Sequence, residues 1–210
     1  MTRRLSILCN PTSGSGRALA AAREVVHRLE GHPGFEVGIT ESDSPEHMRR
    51  LARQAERRDD AVAVAGGDGT VLQAVNGLER FDKPLAVVPA GTANVLAREL
   101  KIGLTPRRAA EAILRWRPSP MDVLDVNGRP ALLMVGVGLD AAVVRSIHRQ
   151  RTDGDLSMSS YILPTLKELF GWSTPAVEVV LDGRTIAGKA DHVLLANTRQ
   201  YGGPFSIATG

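Results

Sequence analysis

With 210 residues, 43% apolar, 23% charged and a net charge of +3, the chain has the balance of a folded globular protein, which excludes disordered and fibrous classes. Its length suffices for one large core or two smaller domains, and two are expected. No apolar stretch approaches the roughly 18 residues of a membrane span, the apolar run near the start is too short for a signal peptide, and a single cysteine, Cys9, excludes an internal disulfide framework, so a cytoplasmic protein is expected.

Residues 5–10 read as a buried strand that places Cys9 in the core, and 11–16 as a loop into an alanine-rich helix ending near Gly31. Residues 35–40 form a second strand, after which Ser44 as N-cap and Pro45 at the first helical position open a helix through Arg58. An apolar strand over 61–65 then runs into Gly66-Gly-Asp-Gly-Thr70, and a helix starting near Thr70 carries Val71, Leu72, Val75 and Leu78 at helical spacing. A strand over 85–88 leads into Pro89-Ala-Gly-Thr-Ala-Asn94, followed by helices to about Leu100 and over 106–115.

Strands that alternate with helices and are apolar throughout predict a doubly wound, mainly parallel α/β sheet. Ligands of such sheets gather at the carboxyl ends of the strands. The loops beginning at Asn10, Thr40, Gly66 and Pro89 all start there, so four segments are expected to converge.

The pattern changes at Pro118-Ser-Pro120. Strands over 121–126 and 131–137 around the turn Asn127-Gly128 read as a hairpin. A helix over 159–170, a second hairpin at Asp182-Gly183 and a strand over 193–196 complete an antiparallel, β-rich half. The expected domains are therefore residues 1–119 and 120–210.

The glycine segment carries the chemistry. Glycine admits an anion close to the backbone, and a helix start turns N–H groups and the positive dipole end toward it. Asp68 would repel a bare phosphate, so Mg²⁺ between its carboxylate and phosphate oxygens is expected. A tight strand-to-helix turn with an incidental aspartate is the plainer alternative.

Other motifs fare worse. Gly14 and Gly16 start a dinucleotide fingerprint, but its third glycine would fall on Leu19. A P-loop fails at Arg17 and Ala18, and neither Ser13 nor Ser15 stands in a nucleophile elbow. Ser13 reads better as a hydrogen-bond donor to phosphate. The histidines at 27, 32, 47, 148 and 192 have no metal-ligand spacing. Arg49, Arg50, Arg53, Arg57 and Arg58 fall in one helix, with 49, 53 and 57 on one face, and Arg145, Arg149 and Arg151 lie around another. A solvated face is the plain reading and contact with anionic lipid headgroups the sharper one. Without interleaved aromatics, no nucleic-acid partner is expected.

Taken together, Asn10-Pro-Thr-Ser-Gly14, Thr40, Gly66-Gly-Asp-Gly-Thr-Val-Leu72 and Pro89-Ala-Gly-Thr-Ala-Asn94 resemble the catalytic domain of the diacylglycerol kinase and sphingosine kinase family of lipid kinases. Gly136-Val-Gly-Leu-Asp140, Leu195-Ala-Asn197 and Tyr201-Gly-Gly203 continue the likeness. The resemblance implies an α/β nucleotide domain followed by a β-sandwich, with the active site in the cleft between them. It implies ATP held by Asn10, Pro11, Thr12, Ser13, Gly14, Thr40, Gly66, Gly67, Asp68, Gly69, Thr70, Val71, Leu72 and Thr92. Asp68 would organise Mg²⁺ through the phosphates, the Thr70 hydroxyl and the amides of Gly67, Gly69 and Thr70 would donate to them, and Asn94 would either orient phosphate or cap the next helix. The implied activity is transfer of the γ-phosphoryl group of ATP to the hydroxyl of a diacylglycerol-like or sphingoid lipid, by a cytoplasmic protein that touches the membrane peripherally.

In the family the general base comes from a segment after Tyr-Gly-Gly, so the base is expected beyond Gly210, and Asp140 and Asp191 are not assigned to it. An open sandwich edge favours aggregation or pairing with another chain, for instance as a homodimer. Two alternatives stand beside the lipid kinase. One is an NAD kinase, which shares the Gly-Gly-Asp-Gly-Thr loop. The other is a nucleotide-binding module without catalysis.

Overall fold

The computed structural model describes residues 2–138, 141, 177–202 and 205–206. The expected helix over 159–170, Asp140, Arg145, Arg149, Arg151, His148 and Gly203 lie outside the described residues. The chain forms two compact units, Met1–Leu133 with Asn197–Gly210, and Met134–Ala196. The expected break near 119–120 falls inside the first unit.

The first unit is built on four parallel strands, β1 (Arg3–Cys9), β2 (Phe35–Glu41), β3 (Ala61–Gly66) and β4 (Leu85–Pro89), in the order β2-β1-β3-β4. The central strand β3, Ala-Val-Ala-Val-Ala-Gly, is buried along its whole length. Alternation along a strand sends its side chains to opposite faces, and the composition of β3 divides the same way. Ala61, Ala63 and Ala65 meet the core layer of α1 (Arg17–Glu30) and α5 (Pro106–Arg115), whereas Val62 and Val64 meet that of α2 (Pro45–Arg58), α3 (Asp68–Val75) and α4 (Val95–Glu99). The α1 layer is itself mostly alanine on its buried side, Ala18, Ala21 and Ala22 with Val25 and Leu29, so small residues face small residues. Each valine fully removed from water contributes about 1.5–3 kcal/mol.

Helix starts follow the local chemistry. The Ser44 hydroxyl accepts from the His47 amide at 3.1 Å ahead of Pro45, the cap expected from sequence. Helix α3 begins at Asp68 rather than Thr70, with Gly67 as its N-cap.

The hairpin reading needs one correction. Asn127 and Gly128 do turn with positive φ, joining β5 (Leu124–Val126) to β6 (Arg129–Ala131). The expected strand over 131–137 is broken, however, and β7 (Met134–Gly138) pairs with β10 (His192–Ala196) instead. The cause is Leu132, which is buried in the core layer beneath α2 and α3. The carbonyls of Leu132 and Leu133 are taken by Asn197. In the second unit β8 (Val177–Leu181) and β9 (Arg184–Ala190) form the hairpin expected at Asp182-Gly183. The short pair β11 (Gln200–Gly202) and β12 (Phe205–Ser206) follows Asn197 in the first unit.

Cys9, at the end of β1, is fully buried. Burial foremost, with the nearby Glu41 carboxylate, pushes its thiol up to about 11 against the opposing Arg23. Because the thiolate is the reactive form, native protein at pH 8 is expected to resist iodoacetamide, and unfolding in urea should expose one reactive thiol. Rapid native alkylation, followed by mass spectrometry, would contradict this burial.

Candidate functional site

The parallel register brings the ends of all four strands to one edge of the sheet. Cys9 lies opposite Glu41 and Ala65, Leu8 opposite Thr40, and Gly66 opposite Pro89. The loops that leave this edge are bonded to one another, which sequence spacing alone did not reveal. Asn10 donates its amide to the Ala65 carbonyl at 3.3 Å, and Ser42 donates to the Cys9 carbonyl at 2.8 Å. The hydroxyls of Ser13 and Thr70 are 2.9 Å apart, which joins the first loop to the glycine segment.

Within the first loop, Asn10 Oδ1 accepts from the Thr12 amide at 3.1 Å and the Thr12 hydroxyl at 2.8 Å. This side chain-to-backbone turn, typical of asparagine, sets the direction of Pro11 and Thr12. Gly14, at φ +61, presses against the next loop but one, where an added Cβ would lie 1.7 Å from the Ala90 carbonyl oxygen. Gly67 and Gly91 likewise meet backbone to backbone, since a Cβ on Gly91 would fall 2.5 Å from Gly67 Cα. Thus three loops pack through glycines.

Gly69 differs. It is exposed on the first turn of α3, its φ is ordinary, and an added Cβ would meet nothing within 4 Å. The protein's own packing gives no reason for glycine here, and in a helix glycine costs about 1 kcal/mol relative to alanine. Gly69 thus leaves open space beside the helix start.

The remaining expected residues fall into place unevenly. Val71 is buried in the core, so it contributes only backbone, and its amide, like that of Thr70, is already given to the Gly67 carbonyl, at 3.1 and 2.9 Å. The Thr70 hydroxyl meets Ser13, as above, and Leu72 is half-buried. Thr92 is exposed at the mouth of its loop. Thr40 sits at the same sheet edge but on the outer strand β2, half-buried.

For Asn94 the geometry settles the choice against capping. It stands at φ 47 with no cap bond to α4. Its side chain instead accepts from the Gly91 amide at 2.9 Å and donates to the Gly91 carbonyl at 2.7 Å. The cap comes from Asp68, whose Oδ2 and Oδ1 accept from the amides of Val95 and Leu96, each at 3.0 Å. A carboxylate has about four acceptor positions, so these two bonds leave lone pairs for a cation.

Arg17 went unnoticed as a site residue, yet its Nε donates to the Gly14 carbonyl at 2.8 Å and fixes a guanidinium on the same loop. Its place directly after Gly16, the last glycine of the loop, was the available signal. The arginine face of α2 is different again. Arg49 bonds Gln73 and Glu46, and Arg53 and Arg57 both pair with Glu79, at 2.9 and 2.7 Å. The Arg57 hydrogen bond foremost holds the Glu79 carboxyl below the usual range. These pairs tie the three arginines to carboxylates of the protein while leaving them partly exposed.

Among the described residues no three His, Cys, Asp or Glu side chains form a metal cage. A Mg²⁺ here would take most of its ligands from phosphate and water, its usual habit. A groove of ≈ 1270 Å³ lies elsewhere in the first unit, lined by Leu85, Val87, Ile102 and Trp116 among others, and none of the loop residues borders it. Nor is any helix among the described residues long and apolar enough to cross a membrane.

What emerges is an α/β unit whose strand-end loops, rich in glycine, leave space and a carboxylate beside a helix start. The diacylglycerol kinase catalytic domain model matches residues 4–126. The chain is 34% identical to a diacylglycerol kinase of Mycobacterium tuberculosis over 97% of this chain and 68% of the relative. It is 29% identical to the diacylglycerol kinase of Bacillus subtilis, over 96% of this chain and 67% of that one. A crystal structure of a diacylglycerol kinase from Bacillus anthracis superposes with a TM-score of 0.75 at 25% identity, covering 98% of this chain and 67% of that chain. The chain belongs to the diacylglycerol kinase catalytic domain family.

Proposed function

We propose that this chain binds ATP, with Mg²⁺, against Asn10, Pro11, Thr12, Ser13, Gly14, Thr40, Gly66, Gly67, Asp68, Gly69, Thr70, Val71, Leu72 and Thr92, and serves transfer of the γ-phosphoryl group to the hydroxyl of a diacylglycerol-like lipid. The observation that carries the reading is the space at Gly69, beside the start of α3 and within a loop cluster that family membership connects with kinase chemistry. Phosphoryl transfer asks the protein chiefly for positioning and charge compensation. Ser13 and Thr70 would orient phosphate oxygens through their shared hydroxyls, and Arg17 would add positive charge from the first loop. Bound Mg²⁺ would neutralise phosphate charge, with the free lone pairs of Asp68 turned to it or to its water. In the reaction the lipid oxygen bonds to the γ-phosphorus as the bond to the β-phosphate oxygen breaks, and the hydroxyl proton passes to a base, a role given to none of the described residues.

The test is transfer of labelled phosphate from ATP into diacylglycerol-containing mixed micelles, with NAD as the competing acceptor. Label in the lipid supports the proposal. Label in NAD replaces the acceptor class, and ATP binding without transfer to either makes the chain a nucleotide-binding module.

A further inference from the structure

Helix α4 is only five residues long, and neither Asn94 nor an acidic residue in its first turn caps it. Asp68, from the glycine segment, does so with both carboxylate oxygens. At the other end of α4, Glu99 Oε2 accepts from the Arg199 amide at 3.1 Å. Arg199 lies where the chain re-enters the first unit after β10. That stretch is held on its other side too. Asn197 gives its amide to the Leu133 carbonyl at 2.8 Å and its side chain to the carbonyls of Asp122 and Leu132 at 2.7 and 2.8 Å, and Thr198 is buried.

Between these grips, Val95, Leu96 and Ala97 are all buried, so α4 is constrained by packing as well as by its ends. Five residues rise only about 8 Å along a helix axis, so the two grips lie close together. A charged acceptor bonded to two backbone amides is among the stronger hydrogen-bonding arrangements, and a cation drawn to the remaining lone pairs of the same carboxylate changes how strongly it holds those amides.

We propose that Asp68 is a positioning residue: through α4 and Glu99 it couples the glycine segment to the stretch 197–202, so that nucleotide at the one and the seating of the other depend on each other. The nucleotide half of this statement rests on the ATP site proposed above. The coupling is reciprocal by linkage, since whatever nucleotide binding does to the stretch, loosening the stretch does to nucleotide binding.

The test is amide hydrogen exchange on nucleotide-free protein, comparing the native chain with Asp68→Asn, which keeps the side-chain shape but can accept through only one atom. Exchange at Val95, Leu96 and Arg199 is expected to accelerate together, by about tenfold, the scale of a lost helix cap. Faster exchange at Val95 and Leu96 with Arg199 unchanged would overturn the coupling. This arm needs no nucleotide, so it stands even if calorimetry shows that the native chain does not bind ATP, a result that would defeat the ATP reading instead. Where ATP does bind, Asp68→Asn should weaken it with and without Mg²⁺, and a loss confined to Mg²⁺-containing buffer would make Asp68 a metal ligand alone. Glu99→Ala should lower ATP affinity by about threefold through linkage. Unchanged affinity in that variant overturns the proposal, and this arm serves should Asp68→Asn fail to fold.

Discussion

Gly14→Ala is expected to lower stability by about 2–4 kcal/mol and to abolish detectable ATP binding. Two effects add at this position. The φ of +61 disfavours any residue with a Cβ, and that Cβ would lie 1.7 Å from the Ala90 carbonyl oxygen, well inside contact distance. The oxygen belongs to backbone just beyond β4, whose Ala90 amide is bonded to the Gly66 carbonyl at 3.0 Å, so it cannot swing aside without disturbing the glycine segment. The loops must separate, and with them the hydroxyl pair of Ser13 and Thr70. Urea denaturation followed by circular dichroism reads the first effect, and calorimetry with ATP reads the second. Native stability in Gly14→Ala would mean that the first and last of these loops do not pack as described.

Glu56→Ala is expected to cost about 3–5 kcal/mol. Glu56 is 1% exposed on α2, and its carboxylate accepts from three successive amides, Glu79 at 2.8 Å, Arg80 at 3.1 Å and Phe81 at 2.8 Å. Truncation leaves all three donors without that acceptor and opens a cavity beneath the turn that leads toward β4. Glu56→Gln keeps the shape and one good acceptor while setting an NH₂ against an amide, so its loss should be intermediate. The denaturant midpoint should fall for both variants with little change in slope. A midpoint within error of the native value for Glu56→Ala would contradict the burial and bonding of this carboxylate.

The parts of the fold that were legible in the sequence are those set by neighbours along the chain. The run Ala-Val-Ala-Val-Ala-Gly marks a strand buried on both faces because its own residues say so, and Ser44-Pro45 marks a helix start because the cap lies three residues from its donor. Asn127-Gly128 marks a turn for the same local reason. The glycine segment was legible as a ligand loop because only a few backbone uses explain so many glycines around one carboxylate.

What escaped reading depends on partners distant in sequence. Nothing local to Met134–Gly138 shows that Gly136 lies opposite Leu194, or that Leu132 turns inward and breaks the strand before it. Nothing in the sequence around Glu56 marks it as a buried acceptor, since the three amides it serves come from the next crossover. Asp68 was legible as a site carboxylate but not as the cap of α4, because its donors at Val95 and Leu96 belong to the loop after another strand. The sequence offered Asn94 as that cap, and only the structure shows its side chain bonded to Gly91 instead.

In the proposed function, nucleotide phosphate lies beside the start of α3, in the space left at Gly69. The most direct measurement is calorimetric titration of Mg·ATP into the native chain and into Gly69→Val, with thermal unfolding of both. Because an added Cβ at Gly69 meets nothing within 4 Å beyond its chain neighbours and the backbone of its own helix, the variant is expected to unfold at or near the native temperature. Its ATP affinity should fall by about tenfold or more, the equivalent of about 1.4 kcal/mol of conflict with the ligand. Native-like ATP affinity in a folded Gly69→Val chain would place the phosphates elsewhere and contradict the account.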